Sequence, residues 1–149
     1  MLGGLHSEMC FWTNLGKLLD KSGWDEALTE AEVFSSGRAQ SVIYASHLKR
    51  TRFAHEISVV AFTKLKTQAY IDRNTQETFS EWNQAQCQQS PTFFFWDLIL
   101  RIQMWILMFV RAHREQNFNL YVNVMEKLAT FLFALDATNY SRWLPVHIR

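Results

Sequence analysis

The chain has 149 residues, 48% of them hydrophobic, and its 15 basic side chains nearly balance 14 acidic ones for a net charge of +1. That length suits one domain with a sizeable core, and near-neutrality excludes the global cationic field of a dedicated nucleic-acid binder, leaving only a local patch for such a partner. Two cysteines, Cys10 and Cys87, stand in no ligand spacing and read as reduced thiols of an intracellular protein, nuclear or cytoplasmic.

Met1 to His6 carries neither a basic nor an apolar leader region, so the chain is not expected to be secreted. Leu5, Met9, Trp12, Leu15, Leu18 and Leu19 then recur at three- and four-residue steps, which predicts a first helix with Ser7 as its N-cap and Gly23 as its stop. A short second helix is expected over 24–33, with Asp25 and Glu26 at the positive end of its dipole, and Phe34-Ser35-Ser36-Gly37 reads as a break. The pattern resumes at Arg38. His47 to Tyr70 reads as one long helix with Phe53, Ile57, Val60, Ala61, Leu65 and Ala69 as its apolar face. Residues 72–78 form a connector, and Thr78-Phe79-Ser80-Glu81 matches a capping box that starts a brief helix to about Gln88.

Ser90-Pro91 restarts the chain into its most apolar stretch, 93–110, which only Asp97, Arg101 and Gln103 interrupt. At 100° per residue, Asp97, Arg101, Met104, Met108 and Arg111 share one stripe, while Phe95, Ile99, Ile102, Ile106 and Phe109 cover the opposite side. A membrane span here would place an Asp and an Arg mid-bilayer at roughly 2.5 to 3.5 kcal/mol each, and Asp97 followed by Arg101 is the favourable i, i+4 order for an ion pair. A core helix is therefore expected, ending at about Arg114. Asn117 is the expected cap of an amphipathic helix bearing Phe118, Tyr121, Val122, Met125, Leu128, Ala129 and Leu132, and the short link predicts an antiparallel hairpin. Asp136 to Trp143 reads as a final turn or short helix stopped by Pro145. No strand alternation, repeat or low-complexity tract is present.

The fold expected is thus all-α: an irregular helical bundle built on a central, very apolar helix (about 92–114) with an antiparallel partner (about 117–136). The chain reads as a single helical domain, or as a piece of a larger one cut at both ends.

The segments Leu2-Gly3-Gly4-Leu5-His6-Ser7-Glu8-Met9, Gly23-Trp24-Asp25-Glu26-Ala27-Leu28, Ala45-Ser46-His47, Arg50-Thr51-Arg52-Phe53-Ala54-His55 and Phe133 to His147 (FALDATNYSRWLPVH) carry a resemblance in order and spacing. They resemble a family of long, multi-copy proteins of aquatic animals that look like products of mobile elements. The resemblance spans nearly the whole chain and implies an internal segment of a longer polypeptide. It carries over no activity, and no acidic residue of a transposase core maps onto this chain. At Phe11-Trp12-Thr13-Asn14 the chain departs from the more hydrophobic pattern of that family.

Several constellations invite a chemical reading. Lys49, Arg50 and Arg52, continued by Lys64 and Lys66, form the densest basic group, flanked by His47 and His55. It is a candidate phosphate-contacting helix face, or else a solvated face or a partner for Glu26, Glu30 and Glu32. His6 and Cys10 are one turn apart with Glu8 nearby, but a structural zinc needs four ligands, and no metal or other cofactor is expected. A Cys10 or Cys87 nucleophile with His55 or His113 lacks any feature that lowers a thiol pKa. Asp136, Asn139, Tyr140 and Arg142 read as a structural turn, and the six tryptophans as core material. The function expected is that of a non-catalytic helical segment of a larger mobile-element-like protein, with a structural or contact role. Its partners would be the rest of the parent polypeptide, another protein, or nucleic acid through the basic helix, with no small-molecule substrate evident. The alternatives are a fragment of a transposase-type enzyme, its acidic residues lying elsewhere or including Asp136, and a membrane-anchored protein spanning at 93–110.

Overall fold

Helix-forming periodicity governs the chain: the computed structural model describes residues 4–135, and every regular element among them is an α-helix. α1 (Gly4–Leu19) already runs through Ser7, which is buried in it and is therefore not its N-cap. Gly23, at φ 87°, takes the left-handed conformation that glycine tolerates best and leads into α2 (Trp24–Glu30), which ends short of Val33. The expected break at 34–37 is shorter than the sequence suggests, because α3 (Ser36–Ile43) starts inside it with Ser35 at the N-cap position.

α4 (Leu48–Arg73) is the long helix expected there, stopped by Asn74 in the left-handed region at φ 48°. α5 (Phe79–Gln89) opens on the expected capping box: Thr78 Oγ1 accepts from the Glu81 amide, and Glu81 Oε2 accepts from the Thr78 amide. Ser90 ends α5 and caps α6 (Pro91–Arg114), its Oγ accepting from the Phe93 amide at 3.2 Å. Asn117 does the same for α7 (Phe118–Ala134) through the Leu120 amide at 3.0 Å. The Asp136 to Trp143 turn lies outside the described residues.

α6, about 36 Å long at 1.5 Å per residue, is the axis of the molecule. α7 folds back along its C-terminal half as an antiparallel partner, placing Tyr121 against Phe109 and His113. α1 packs beside them through Phe11, whose ring meets Phe109 edge-on at 5.1 Å. Ile99, Ile102, Ile106 and Phe109 of α6, Trp12, Leu15 and Leu19 of α1, and Met125, Leu128 and Leu132 of α7 are fully buried. α1 and α3 cross closely enough at Gly16 that any Cβ would run into the Ile43 carbonyl, so only glycine fits there. Phe118, expected on the inner face of α7, is exposed, and Val124 and Phe131 are buried in that helix.

α4 runs antiparallel to α6, its order 55, 62, 66 meeting 103, 96, 97. Its inward face differs from the expected apolar one. Thr51, Ala54, His55 and Ser58 are buried, whereas Phe53, Val60 and Leu65 are at least half exposed. The reason is that His55 and Ser58 find specific partners inward, while the C-terminal half of the helix extends past α1, α2 and α3. From Val59 to Leu98 only Trp82 and Asp97 are buried.

Candidate functional site

Asp97, His55, Ser58 and Gln103, all buried, fall at two places along the α4–α6 contact. Toward the N-terminal end of α6, the Asp97 side chain is only 3% exposed and accepts from Lys66 Nζ at 2.5 Å and Arg101 Nε at 3.2 Å. The Cys87 thiol donates to Oδ2, the oxygen that Arg101 also meets, at 3.7 Å. The i, i+4 partner expected from the sequence is thus present, but the better-buried cation is Lys66, from a different helix. Burial, followed by the charge and hydrogen bond of Asp97, pushes the Cys87 thiol up, against the pull of Lys66 and Arg101. That is the opposite of what a nucleophile needs.

The second place lies nearer the middle of α6. The His55 ring is stacked between Trp12 (centroids 4.2 Å apart, planes at 9°) and Trp24 (4.7 Å, 19°), and its Nδ1 meets Gln103 Nε2 at 2.9 Å. The indole of Trp24 donates to Ser58 Oγ at 2.8 Å and that of Trp12 to Glu8 Oε1 at 3.0 Å. Glu8 in turn holds Arg52 through two hydrogen bonds, which raise the guanidinium pKa despite partial burial. Full burial lowers the His55 pKa to about 3, so the imidazole is neutral at ordinary pH. The His55, Trp24, Ser58 and Gln103 part of this network is enclosed in the core, whereas Glu8 and Arg52 also line a recess with Gly4, Phe109, His113 and Arg114.

The five candidate nucleic-acid contacts do not share one face. Arg52 and Lys66 lie nearly four whole turns apart on the inner side of α4, each in an ion pair with a buried carboxylate. Arg50 and Lys64 sit roughly 200° round the helix, and Lys49 and Lys64 are exposed. His47, Lys49, Arg50 and Phe53 line a shallow recess at the start of α4. His55 adds no positive charge to this group. Glu8 is likewise spent on Arg52 and Trp12, and no group of three or more metal-ligating side chains exists among the described residues. Asp136, Asn139, Tyr140, Arg142 and Trp143 lie outside those residues.

One further feature escaped sequence reasoning. A half-open slot of about 330 Å³ runs between α4 and α6, walled by Phe62, Leu65 and Ala69 on one side and Phe93, Trp96 and Leu100 on the other, with Lys66 and Asp97 completing it. The only advance signal was the apolar 62, 65, 69 spacing, which reads equally well as core. α6 is long and apolar enough to cross a membrane by length and composition alone. In this fold its one acidic side chain is instead held inside by two cations. In comparisons with protein-family models, curated proteins and solved structures, nothing matches the chain.

Proposed function

We propose that this chain is a non-catalytic helical contact module of a larger mobile-element-like intracellular protein, packing against other protein through the outer face of α4. The observation that carries this reading is a division of labour among side chains. Of the groups able to do chemistry, Asp97, Cys87, His55 and Glu8 are spent on partners within the fold. The outer face of α4, by contrast, presents Val60 (69% exposed) and Ile71 (60%) about three turns apart on one side of the helix, with Lys64 between them. Exposed large apolar side chains aligned on one helix face suit burial against a second protein surface.

The test is reconstitution in trans. Segments of the parent reading frame that flank this chain, supplied separately, should form a complex with it, measurable by light scattering after size exclusion. Val60→Glu with Ile71→Glu should abolish that complex without loss of helical circular dichroism. Metal-dependent strand cleavage that is lost on Asp97→Asn would overturn the reading in favour of an enzyme fragment. A second reading, contact with nucleic acid, is favoured by Lys49, Arg50 and Lys64, which no buried carboxylate engages. It requires binding that falls steeply with salt and whose slope flattens when these three are neutralised.

A further inference from the structure

We propose that the slot between α4 and α6 is a binding site for a small apolar anion, a medium-chain carboxylate, with its tail between the two helices and its carboxylate on the Lys66 ammonium. The site is separate from the outer face of α4 and does not depend on the contact role proposed for that face.

Three observations converge on this chemistry. The walls are aliphatic and aromatic, and at about 330 Å³ the space lies at the small end of ligand pockets, which span roughly 300 to 1,000 Å³. It therefore suits a small ligand of about the size of a medium-length alkyl chain. Charge beside the slot is unbalanced: one carboxylate, Asp97, is paired with two cations, Lys66 and Arg101. One more negative charge would neutralise the cluster. Finally, the lysine ammonium has three N–H donors, of which Asp97 takes one, and Lys66 lines the slot directly. Asp97 already accepts from Lys66, Arg101 and Cys87. The slot thus offers donors beside an apolar wall, which selects a carboxylate over an amine or an alcohol of the same length.

Titration calorimetry of the intact chain with hexanoate, octanoate and decanoate, and with decanol and decyltrimethylammonium, tests this directly. Affinity should rise about fourfold per added CH₂ until the slot is filled. Decanoate should bind at least tenfold more tightly than decanol, and the cation should not compete. Ala69 is exposed, so Ala69→Phe fills the slot while leaving the ion pairs and the core in place, and it should weaken decanoate at least tenfold. Lys66→Met should remove the preference for carboxylate over alcohol.

Equal binding of decanol and decanoate would overturn the anion assignment. Unchanged binding to Ala69→Phe would overturn the location. Concentration-dependent self-association of the unliganded chain that Ala69→Phe abolishes would give the slot to a second copy, and the proposal would fail.

Discussion

The two ends of α6 carry similar apolar content but lead different lives. Its C-terminal half is surrounded by α1, α4 and α7, so Ile106 and Phe109 are fully buried. Among the described residues, its first turns (91–97) have mainly α5 and the far part of α4 beside them, so Phe94 is 46% exposed and Phe93, Phe95 and Trp96 are only partly covered. Aromatic pairing takes over there from enclosure: Tyr70, Phe79, Trp82 and Phe93 meet ring to ring at 5.2 to 5.7 Å, and Phe62 meets Trp96 at 5.2 Å. The same kind of residue therefore stabilises one end by full burial and leaves the other end with surface to spare. Stability should reside in the first region and recognition in the second.

The largest expected effect separates the two ends outright. Trp12→Ala removes a fully buried indole that stacks on His55 and donates to Glu8, and it should cost about 3 to 5 kcal/mol. Leu65→Ala, at a position 67% exposed on the arm formed by the far part of α4, α5 and the start of α6, should change stability by no more than about 0.5 kcal/mol. Urea unfolding of both variants gives the contrast. Equal losses would mean that the arm is as enclosed as the packed end.

Lys66→Met tests whether the arm holds one point of real tension. The substitution keeps much of the apolar stem but strips the better-buried cation from Asp97, leaving Arg101 and Cys87. Hydrogen bonds to charged groups contribute about 1.5 to 3 kcal/mol, and a loss in that range is expected. It should be recovered in part by Asp97→Asn in the same chain, because a neutral side chain no longer demands a counter-charge. No recovery would show that Lys66 acts through packing alone.

Much of the scaffold was legible in the sequence, because its signals are local. The Thr78–Glu81 capping box, the Asn117 cap, the Pro91 start and the inward Ile99, Ile102, Ile106 row all depend on neighbours within a turn or two. The α4 face was misread because its inward residues are chosen by distant partners. His55 is inside only because Trp12, Trp24 and Gln103 arrive from three other helices, and Ser58 because Trp24 needs an acceptor. Lys66 went astray for the same reason. Grouped by composition, it joined Lys49, Arg50, Arg52 and Lys64 in a basic patch, although helical geometry alone puts Arg52 and Lys66 opposite Arg50 and Lys64. Identifying their carboxylate partners required the fold.

The packed end should also carry the acid sensitivity. His55 has its pKa lowered to about 3 by burial, against about 6.5 when unfolded. The unfolded chain therefore binds one more proton than the native one between those values, and stability rises with pH across that window. Lowering the pH from 7 to 5 should remove about 2 kcal/mol through this residue alone. His55→Gln should flatten that part of the profile, whatever it does to stability at pH 7. A wild-type profile already flat above pH 5 would mean that the two indole faces hold the imidazolium through cation–π attraction strongly enough to offset its burial.

The smallest expected effect concerns the pair that the sequence itself suggested. Asp97 and Arg101 are joined at 3.2 Å, but the Arg101 side chain is 47% exposed while that of Lys66 is 17% exposed, so the two cations sit in different dielectric surroundings. An exposed i, i+4 pair is worth about 0.3 to 0.5 kcal/mol and is screened by salt. A double-mutant cycle on Asp97→Leu and Arg101→Leu should return a coupling of that size, shrinking further in 0.5 M salt. The matching cycle on Asp97→Leu and Lys66→Leu should return a larger coupling that salt barely touches, because Lys66 reaches Asp97 from another helix with its ammonium mostly shielded. If the two couplings are equal, exposure does not distinguish the cations, and Asp97 is held by a shared three-residue network instead of by one buried pair with an outer satellite. If the Arg101 coupling is the larger, the arm is more tightly closed on that side than on the side of the slot, and the contrast between the two ends of α6 reverses at this point.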